Sequence, residues 1–379
     1  MGNVIIKNDF SRYILSVVLL AFALVANADD LNPGKVVPGI PPDFRDRELP
    51  AKFQKGDFLA VPIPTSNPTT GTGLIGVAAY FWGQTDEQKQ TQPPSVSGLG
   101  GMYTDTQSWV VGLGQTAYWN DDLWRFAGAA GVANLNLPLF ATDVLGTPVR
   151  VDWEIDGELA FAQLSRRLFE RVYLGFQARY LAFDQTFSLD ITSLEFDLLA
   201  GIRAASAGLR VMRDTRDSTT NAHTGSSLTI SGLYTRRNET DNASYQSYDI
   251  AFRSYHELND SIVLAWRAEL CERTRNSPLW DSCRIGLRGF ATTKFMGRSS
   301  QIAEFEARWQ VSRRWGAVVF GGAGQVQDSL SERQESDVIP SYGVGLRFLV
   351  QPEQQVNLRL DYGRSSDSDA IYFSVGEAF

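Results

Sequence analysis

The chain has 379 residues, of which 43% are hydrophobic and 21% charged, and it contains 33 glycines but only two histidines and two cysteines. This composition excludes a disordered polypeptide, a collagen-like fibre and a disulfide-rich scaffold. The formal net charge of -8 at pH 7 argues against a nucleic-acid-binding protein, because phosphate recognition needs a basic surface.

Residues 1–28 have the features of a secretory signal peptide. A charged segment that includes Arg12 precedes an apolar run at 13–25, and Ala26 and Ala28 form a small-residue cleavage pattern. An uncleaved membrane anchor is the alternative, but the run is shorter than the roughly 20 apolar residues that a spanning helix needs. Every longer apolar stretch after it is interrupted by charge, so we expect an exported protein without a transmembrane helix.

The rest of the chain alternates apolar and polar residues with a period of two. The alternation is clearest at 171–180, 262–270, 302–311, 342–350 and 356–362. Because side chains alternate between the faces of a strand, each segment has one apolar and one charged face. A soluble β-sandwich also alternates. Strands of about ten residues, aromatic strand ends and mixed charges on the polar face favour a membrane barrel with a hydrated lumen.

The spacing predicts an all-β fold, a transmembrane antiparallel β-barrel over residues 71–379. At roughly 19 residues per strand with its connection, this length gives about 16 strands, with about 14 or 18 as alternatives. Residues 29–70 are rich in proline, which is excluded from sheet interiors and long helices. We expect an extended periplasmic lead-in there, and a peptide that plugs the pore is the alternative.

Four motifs follow one another along the second half of the chain: RDTRDSTTNAHTG at 213–225, GLRGF at 286–290, EFEARW at 304–309 and VFGGAG at 319–324. In this order they resemble the barrel of the BamA/TamA family of outer-membrane assembly proteins, also called bacterial surface antigens. The resemblance is firmest over residues 210–379, and over 71–209 it rests on the strand pattern.

The resemblance implies a 16-stranded barrel with a long extracellular loop that folds back into the lumen. The loop would place four residues against the inner wall: Leu287, Arg288, Gly289 and Phe290. In the family, a carboxylate at the position of Glu306 and an aspartate on the next strand receive the arginine. Gly322 occupies the aspartate position here, so Glu304 is the candidate substitute. An ordinary loop arginine at Arg288 is the alternative.

The C-terminal strand is expected to point Phe373, Val375 and Phe379 outward, and such an end resembles the signal by which outer-membrane barrels are recognised for assembly. In the family this strand pairs weakly with the first strand, and the seam between them is thought to open toward lipid. Cys271 and Cys283 flank the start of the long loop, and an isolated pair in an oxidising compartment predicts a disulfide.

We therefore predict a non-enzymatic protein of the bacterial outer membrane, without cofactor or metal, that assists insertion or translocation of proteins or lipids. Its expected partners are outer-membrane lipid and a client protein or a separate periplasmic partner, since residues 29–70 are too short for the family's periplasmic repeat domains. A passive or plugged pore, or a structural barrel, is the alternative. A barrel enzyme would rest on Ser254 and His256, which share one strand face.

Overall fold

The structure is a computed structural model that describes residues 56–142, 148–189, 194–196, 201–218, 221–238, 244–327, 338–351, 356–366 and 368–379. The expected signal peptide and the lead-in up to residue 55 lie outside these ranges. Within them, no helix has both the length and the apolar character needed to cross a membrane.

Sixteen antiparallel strands form one closed sheet, which confirms the predicted fold class. Their bounds are β1 Asp57–Asn67, β2 Gly71–Phe81, β3 Val96–Thr104, β4 Trp109–Trp119, β5 Trp124–Thr142, β6 Pro148–Phe169, β7 Val172–Leu189, β8 Ile202–Asp214, β9 Gly225–Arg237, β10 Ser244–Asn259, β11 Ile262–Arg273, β12 Ser299–Gln310, β13 Trp315–Gln327, β14 Ile339–Gln351, β15 Val356–Arg364 and β16 Asp369–Val375. Consecutive strands pair, and β16 meets β1 to close the ring.

Five short elements complete the described secondary structure: the helix α1 Asp86–Thr91, a 3-10 turn Thr292–Lys294, a three-residue strand Leu194–Phe196 beside β7, and the paired two-residue strands Cys283–Arg284 and Met296–Gly297. The helix α1 begins at a capping box in which Thr85 and Gln88 bond each other's backbone N–H groups.

The alternation along each strand separates an outer from an inner face. On β12, Phe305 is 59% exposed whereas its neighbours Glu304 and Glu306 are at most 2% exposed. Burial is therefore reversed relative to a soluble sheet, where the apolar face is covered. This reversal is expected when the outer face contacts lipid and the charged face lines the interior of a closed barrel.

The first strand begins at Asp57, so the expected start of the barrel at Gly71 is wrong, and residues 57–67 of the expected lead-in belong to the sheet. The ladder between β1 and β2 is continuous through Pro62 and Pro64, whereas β1 meets β16 at one residue pair. A strand that is fully paired on one side tolerates proline, because the missing N–H can lie on the other edge.

The inner surface is divided into two parts of different chemistry. The apolar wall consists of small and aliphatic residues on the inner face of β1–β5: Ile63, Ile75, Ala79, Val96, Met102, Val110, Ala129 and Ala133. The charged wall consists of ionised residues on the inner face of β8–β15: Arg210, Arg253, Arg267, Glu304, Glu306, Arg308, Arg347 and Asp361.

Candidate functional site: the long loop and its two anchors

The long loop, residues 274–298 between β11 and β12, is fixed at its base by covalent and backbone contacts. Cys271 and Cys283 form a disulfide across a sequence separation of 12 residues. The two-residue strand that starts at Cys283 pairs with the one that starts at Met296, which makes a small hairpin inside the loop. Closing a loop of this length limits the conformations of the unfolded chain and holds the base of the loop against β11.

Arg288 lies at the tip of the long loop and binds three buried carboxylates of the charged wall. Its Nε and Nη2 atoms lie 3.0 and 2.7 Å from Oε1 of Glu304, and Nη2 lies 2.5 Å from Oε1 of Glu306. Its Nη1 lies 2.7 Å from Oδ2 of Asp361, and the guanidinium carbon is 3.4 Å from the ring centroid of Phe320. The tip of the loop therefore lies against the inner face of β12–β15, with its charge paired as burial requires.

Each of these carboxylates also binds an arginine of the charged wall with its second oxygen. Glu304 Oε2 lies 2.9 Å from Nε of Arg267, and Glu306 Oε2 lies 2.8 Å from Nε of Arg308. Asp361 Oδ1 lies 2.5 Å from Nη1 of Arg347. The three acids thus connect the loop arginine to three different strands, and every acid oxygen has a partner.

The position that the family pattern gives to an aspartate is Gly322, which pairs with Glu304 across β12 and β13. A Cβ atom at Gly322 would lie 2.6 Å from the carbonyl oxygen of Ala303, so the site has no room for a side chain without movement. Glu304 and Asp361 complete the set of acids instead. Sequence reasoning placed Asp361 on the polar face of its strand but missed its role, because its partner depends on strand register.

Gly289 is the tip residue at which the backbone itself needs glycine. It has a φ of +112°, and a Cβ atom there would lie 2.7 Å from the carbonyl carbon of Arg364. Its N–H donates to the hydroxyl oxygen of Tyr372 on β16 at 2.9 Å, and that hydroxyl donates to the carbonyl oxygen of Phe290 at 3.2 Å. The tip therefore contacts the closing strand directly.

Leu287 and Phe290 anchor the tip through apolar packing. Both are 2% exposed and belong to one buried cluster with Ile285, Phe295, Ile302, Val326 and Ile339. Phe290 meets Phe295 edge to face at a centroid distance of 4.8 Å. The cluster joins the loop to β12, β13 and β14 beside the ionic contacts of Arg288.

Asp281 forms a second ionic anchor of the long loop and binds different strands from those that Arg288 binds. Its Oδ2 lies 2.8 Å from Nη2 of Arg179 on β7 and 2.7 Å from the hydroxyl of Tyr245, and its Oδ1 lies 3.4 Å from Nε of Arg273. Burial alone would raise the pKa of Asp281, but the guanidinium groups of Arg179 and Arg273 outweigh burial and hold the pKa well below its usual range. No sequence pattern signalled this residue.

The long loop also contacts both sides of the junction between β1 and β16, which we call the seam. The seam contains a single residue pair, Ser66 with Phe373. On one side, the Thr292 N–H donates to Oγ1 of Thr69, in the turn between β1 and β2, at 3.1 Å. On the other side lies Tyr372, which bonds the loop tip. The loop therefore contacts the chain on both sides of the seam. Ser66 with Phe373 is the only pairing of β1 with β16 within the described residues.

The C-terminal end differs from its expected arrangement. Val375 packs with the inner cluster that contains Ile63, and the expected outward position of Phe379 is wrong. Gly376, with a φ of +89°, ends the alternation, and the Phe379 ring lies 6.5 Å from that of Tyr255 inside the barrel. Phe373 remains on the strand at the seam, and the role of this end as an assembly signal stays a prediction.

Ser254 and His256 lie on the outer face of β10, with Ser254 Oγ 3.0 Å from His256 Nε2. A serine needs a base that is itself oriented by a third group. Within the described residues, His256 has no hydrogen bond to a carboxylate. The geometry brings the two residues together without completing a nucleophilic site.

Residues 203–379 match the Omp85 superfamily domain. The chain carries an Omp85 superfamily domain. This finding confirms the resemblance to the BamA/TamA barrels and the location in the bacterial outer membrane. No curated protein matches the chain in sequence.

Three solved structures resemble the fold of this barrel. BamA from Haemophilus ducreyi lacking POTRA domains 1–3 gives a TM-score of 0.55 at 14% identity, over 85% of this chain and 70% of that one. CdiB from Escherichia coli gives 0.58 at 13% identity, over 97% and 74%. CdiB from Acinetobacter baumannii gives 0.54 at 14% identity, over 85% of this chain and 59% of that one. At these identities the likeness is one of fold.

Proposed function

We propose that this Omp85 barrel assists the insertion or translocation of proteins or lipids at the outer membrane by opening its seam toward the bilayer. The observation that carries the proposal is the single residue pair between β1 and β16. Other neighbouring strands pair along most of their length, as β8 does with β9 from Ala204 to Asp214. Each backbone hydrogen bond contributes about 0.5–1.5 kcal/mol net. Separating β1 from β16 therefore costs less free energy than separating two strands that pair along most of their length.

The chemistry of the two seam strands supports this proposal. The register of Ser66 with Phe373 would place Val375, the last residue of β16, opposite Pro64, so residues 57–63 of β1 extend past the end of their neighbour. Pro62 and Pro64 lack the N–H groups that a longer pairing would need. Residues 57–63 of β1 therefore border the bilayer with little backbone hydrogen bonding to β16.

The long loop supplies a means of controlling the seam. Tyr372 and Thr69 lie on opposite sides of the seam and both bond the loop within residues 289–292. Separation of β1 from β16 must break one of these contacts or carry the loop with one strand. The loop is held to the charged wall by Arg288, so we infer that β16 stays with the loop and that β1 moves.

The test is a reversible cross-link at the seam. We expect the Ser66→Cys/Phe373→Cys double variant to form a disulfide across the paired positions and to lose function until a reductant is added. The matched control is Val319→Cys/Val344→Cys, an exposed pair of facing residues on β13 and β14. Function is measured as the outer-membrane protein content and permeability of cells that depend on this chain. Full function with the seam locked would contradict the proposal.

A plugged pore is the second candidate, and the two anchors of the long loop favour it, because they fix the loop to β7 and β10 on one side and to β12 and β15 on the other. Planar-bilayer conductance separates the two candidates. A plugged pore predicts a large, stable current after Arg288→Ala that is unchanged by the seam cross-link. A seam-dependent protein predicts that the cross-link removes function whatever the current.

A further inference from the structure

Two arginines of the charged wall differ from the others in having no carboxylate partner within the described residues. Arg210 on β8 makes one hydrogen bond, from Nη1 to Oε1 of Gln163 at 3.3 Å. Arg253 on β10 has no side-chain hydrogen bond within the same ranges. In contrast, Arg267 and Arg308 each bind a buried glutamate. Arg210 and Arg253 therefore leave positive charge on the inner face uncompensated.

Three buried donor atoms on the inner face of β7, β8 and β10 have no acceptor. They are Nε of Arg210, Nε of Arg253 and Nε2 of Gln177, and Gln177 as a residue is only 6% exposed. A buried donor without an acceptor is unfavourable, and more so when the group is charged. Donors that lack acceptors on neighbouring strands indicate a ligand that supplies acceptor oxygens.

Nearby carboxylates are already engaged and do not supply those acceptors. Asp249 lies two strands from Arg210 in register and binds Arg273 at 3.2 Å. Asp214, at the end of β8, binds Arg216 at 2.7 Å. The acids around Arg288 use both of their oxygens, as described above. The uncompensated charge is therefore not met from within the described part of the protein.

The residues between the two arginines are short. In the strand register, Arg210 pairs with Ser231 and Arg253 pairs with Ser227, both on β9. Both serines lie on the strand between β8 and β10, and their short hydroxyl side chains add further hydrogen-bonding groups. Guanidinium groups bind oxyanions through paired N–H donors, which fits phosphate and carboxylate more closely than a halide.

We propose that the inner face of β7–β10 binds an oxyanion, a phosphate or carboxylate group, between Arg210 and Arg253, with Gln177 as a further donor. We call this the oxyanion site. It lies apart from the contacts of the long loop and holds whether or not the seam opens. The group belongs either to a lipid headgroup that enters the lumen or to a small soluble anion, since both present the same oxygens.

The test is calorimetric titration of the full-length protein in a maltoside detergent free of phospholipid, with inorganic phosphate as the probe. We expect saturable binding that weakens at least about tenfold in the Arg210→Gln/Arg253→Gln double variant, a change typical of losing charge-assisted hydrogen bonds. The matched control is Arg203→Gln/Arg236→Gln, which removes two exposed arginines from β8 and β9. Retention of the heat-resistant folded band on a gel verifies that each variant still forms a barrel.

Three results of the titration would overturn the proposal. They are no phosphate binding by the unmutated protein, unchanged binding in the double variant, and an equal loss of binding in the control. Arg210→Lys/Arg253→Lys keeps the charge but not the paired donors, and we expect intermediate affinity. A second titration with short-chain phosphatidylglycerol identifies the source, since tighter binding than inorganic phosphate indicates a lipid headgroup and weaker binding a soluble anion.

Discussion

The apolar wall and the charged wall line the same lumen but hold the long loop in different ways. The charged wall binds Arg288 through directional contacts with Glu304, Glu306 and Asp361. The side of the barrel that carries the apolar wall offers the loop tip few directional contacts, such as the hydrogen bond at Thr69. Apolar contacts tolerate sliding because they have no preferred angle, whereas ionic contacts need a fixed geometry. The charged wall therefore fixes the orientation of the loop tip more closely than the apolar wall does.

The largest effect is expected from breaking the contacts between Arg288 and the charged wall. Arg288→Ala leaves three adjacent buried acids with one arginine fewer, and removing one partner of a buried ionic network costs about 3–5 kcal/mol. Urea unfolding in detergent measures the loss. Arg236→Ala, at an exposed position on β9, is the control and should change stability little. Equal unfolding midpoints for Arg288→Ala and the unmutated protein would contradict the role given to the charged wall.

Removal of the disulfide is expected to cause the second-largest loss of stability. Cys271→Ala/Cys283→Ala frees a loop whose ends are separated by 12 residues. The chain-entropy model gives about 3 kcal/mol for a loop of this length. Thermal unfolding of oxidised protein, compared with the double variant, measures the change. A loss confined to the base of the loop should leave the contacts of Arg288 intact, which hydrogen exchange at residues 286–290 can verify.

The second anchor is expected to contribute less, and its contribution depends on pH. The folded-state pKa of Asp281 lies below its unfolded value, so its stabilisation is present at neutral pH and decreases as the pH falls below about 4. Asp281→Asn should lower stability at pH 7 by about 1–3 kcal/mol and remove this part of the acid dependence. Unfolding at several pH values tests it, and a constant difference between the two proteins would contradict it.

The smallest effect is expected where the loop meets the turn between β1 and β2. Thr69→Val removes the acceptor for the Thr292 N–H and should cost about 0.5–1.5 kcal/mol. Loss of this hydrogen bond is also expected to widen the seam. The distance between spin labels on β1 and β16 measures this change. Thr91→Val in α1 is the matched control. An unchanged distance distribution for Thr69→Val would show that the loop does not restrain β1.

The parts of the fold that the sequence predicts are those with a local signal. The period of two identifies strands such as β12 and β15, because each residue's face follows from its neighbours alone. The start of β1 was missed because tolerance of Pro62 depends on which edge of the strand is paired. The inward turn of Phe379 was missed because one residue, Gly376, interrupts the period.

The candidate site was predicted in part for a similar reason. The tip residues and Glu304 and Glu306 belong to motifs close together in sequence, so their meeting was expected. Asp361 and Asp281 find their partners through strand register and the path of the loop, across 73 and 102 residues. Such distances leave no pattern in a single sequence.

The two prolines of β1 have a consequence for any polypeptide that docks beside that strand. A β-strand that adds to an open sheet edge normally exchanges donors and acceptors at alternate positions. Pro62 and Pro64 offer carbonyl oxygens without N–H groups, and both are exposed on the outer face. They discourage indiscriminate strand addition and aggregation, as prolines do on other unprotected edges. A guest strand would form most of its hydrogen bonds near Ser66, where the backbone offers both N–H donors and carbonyl acceptors.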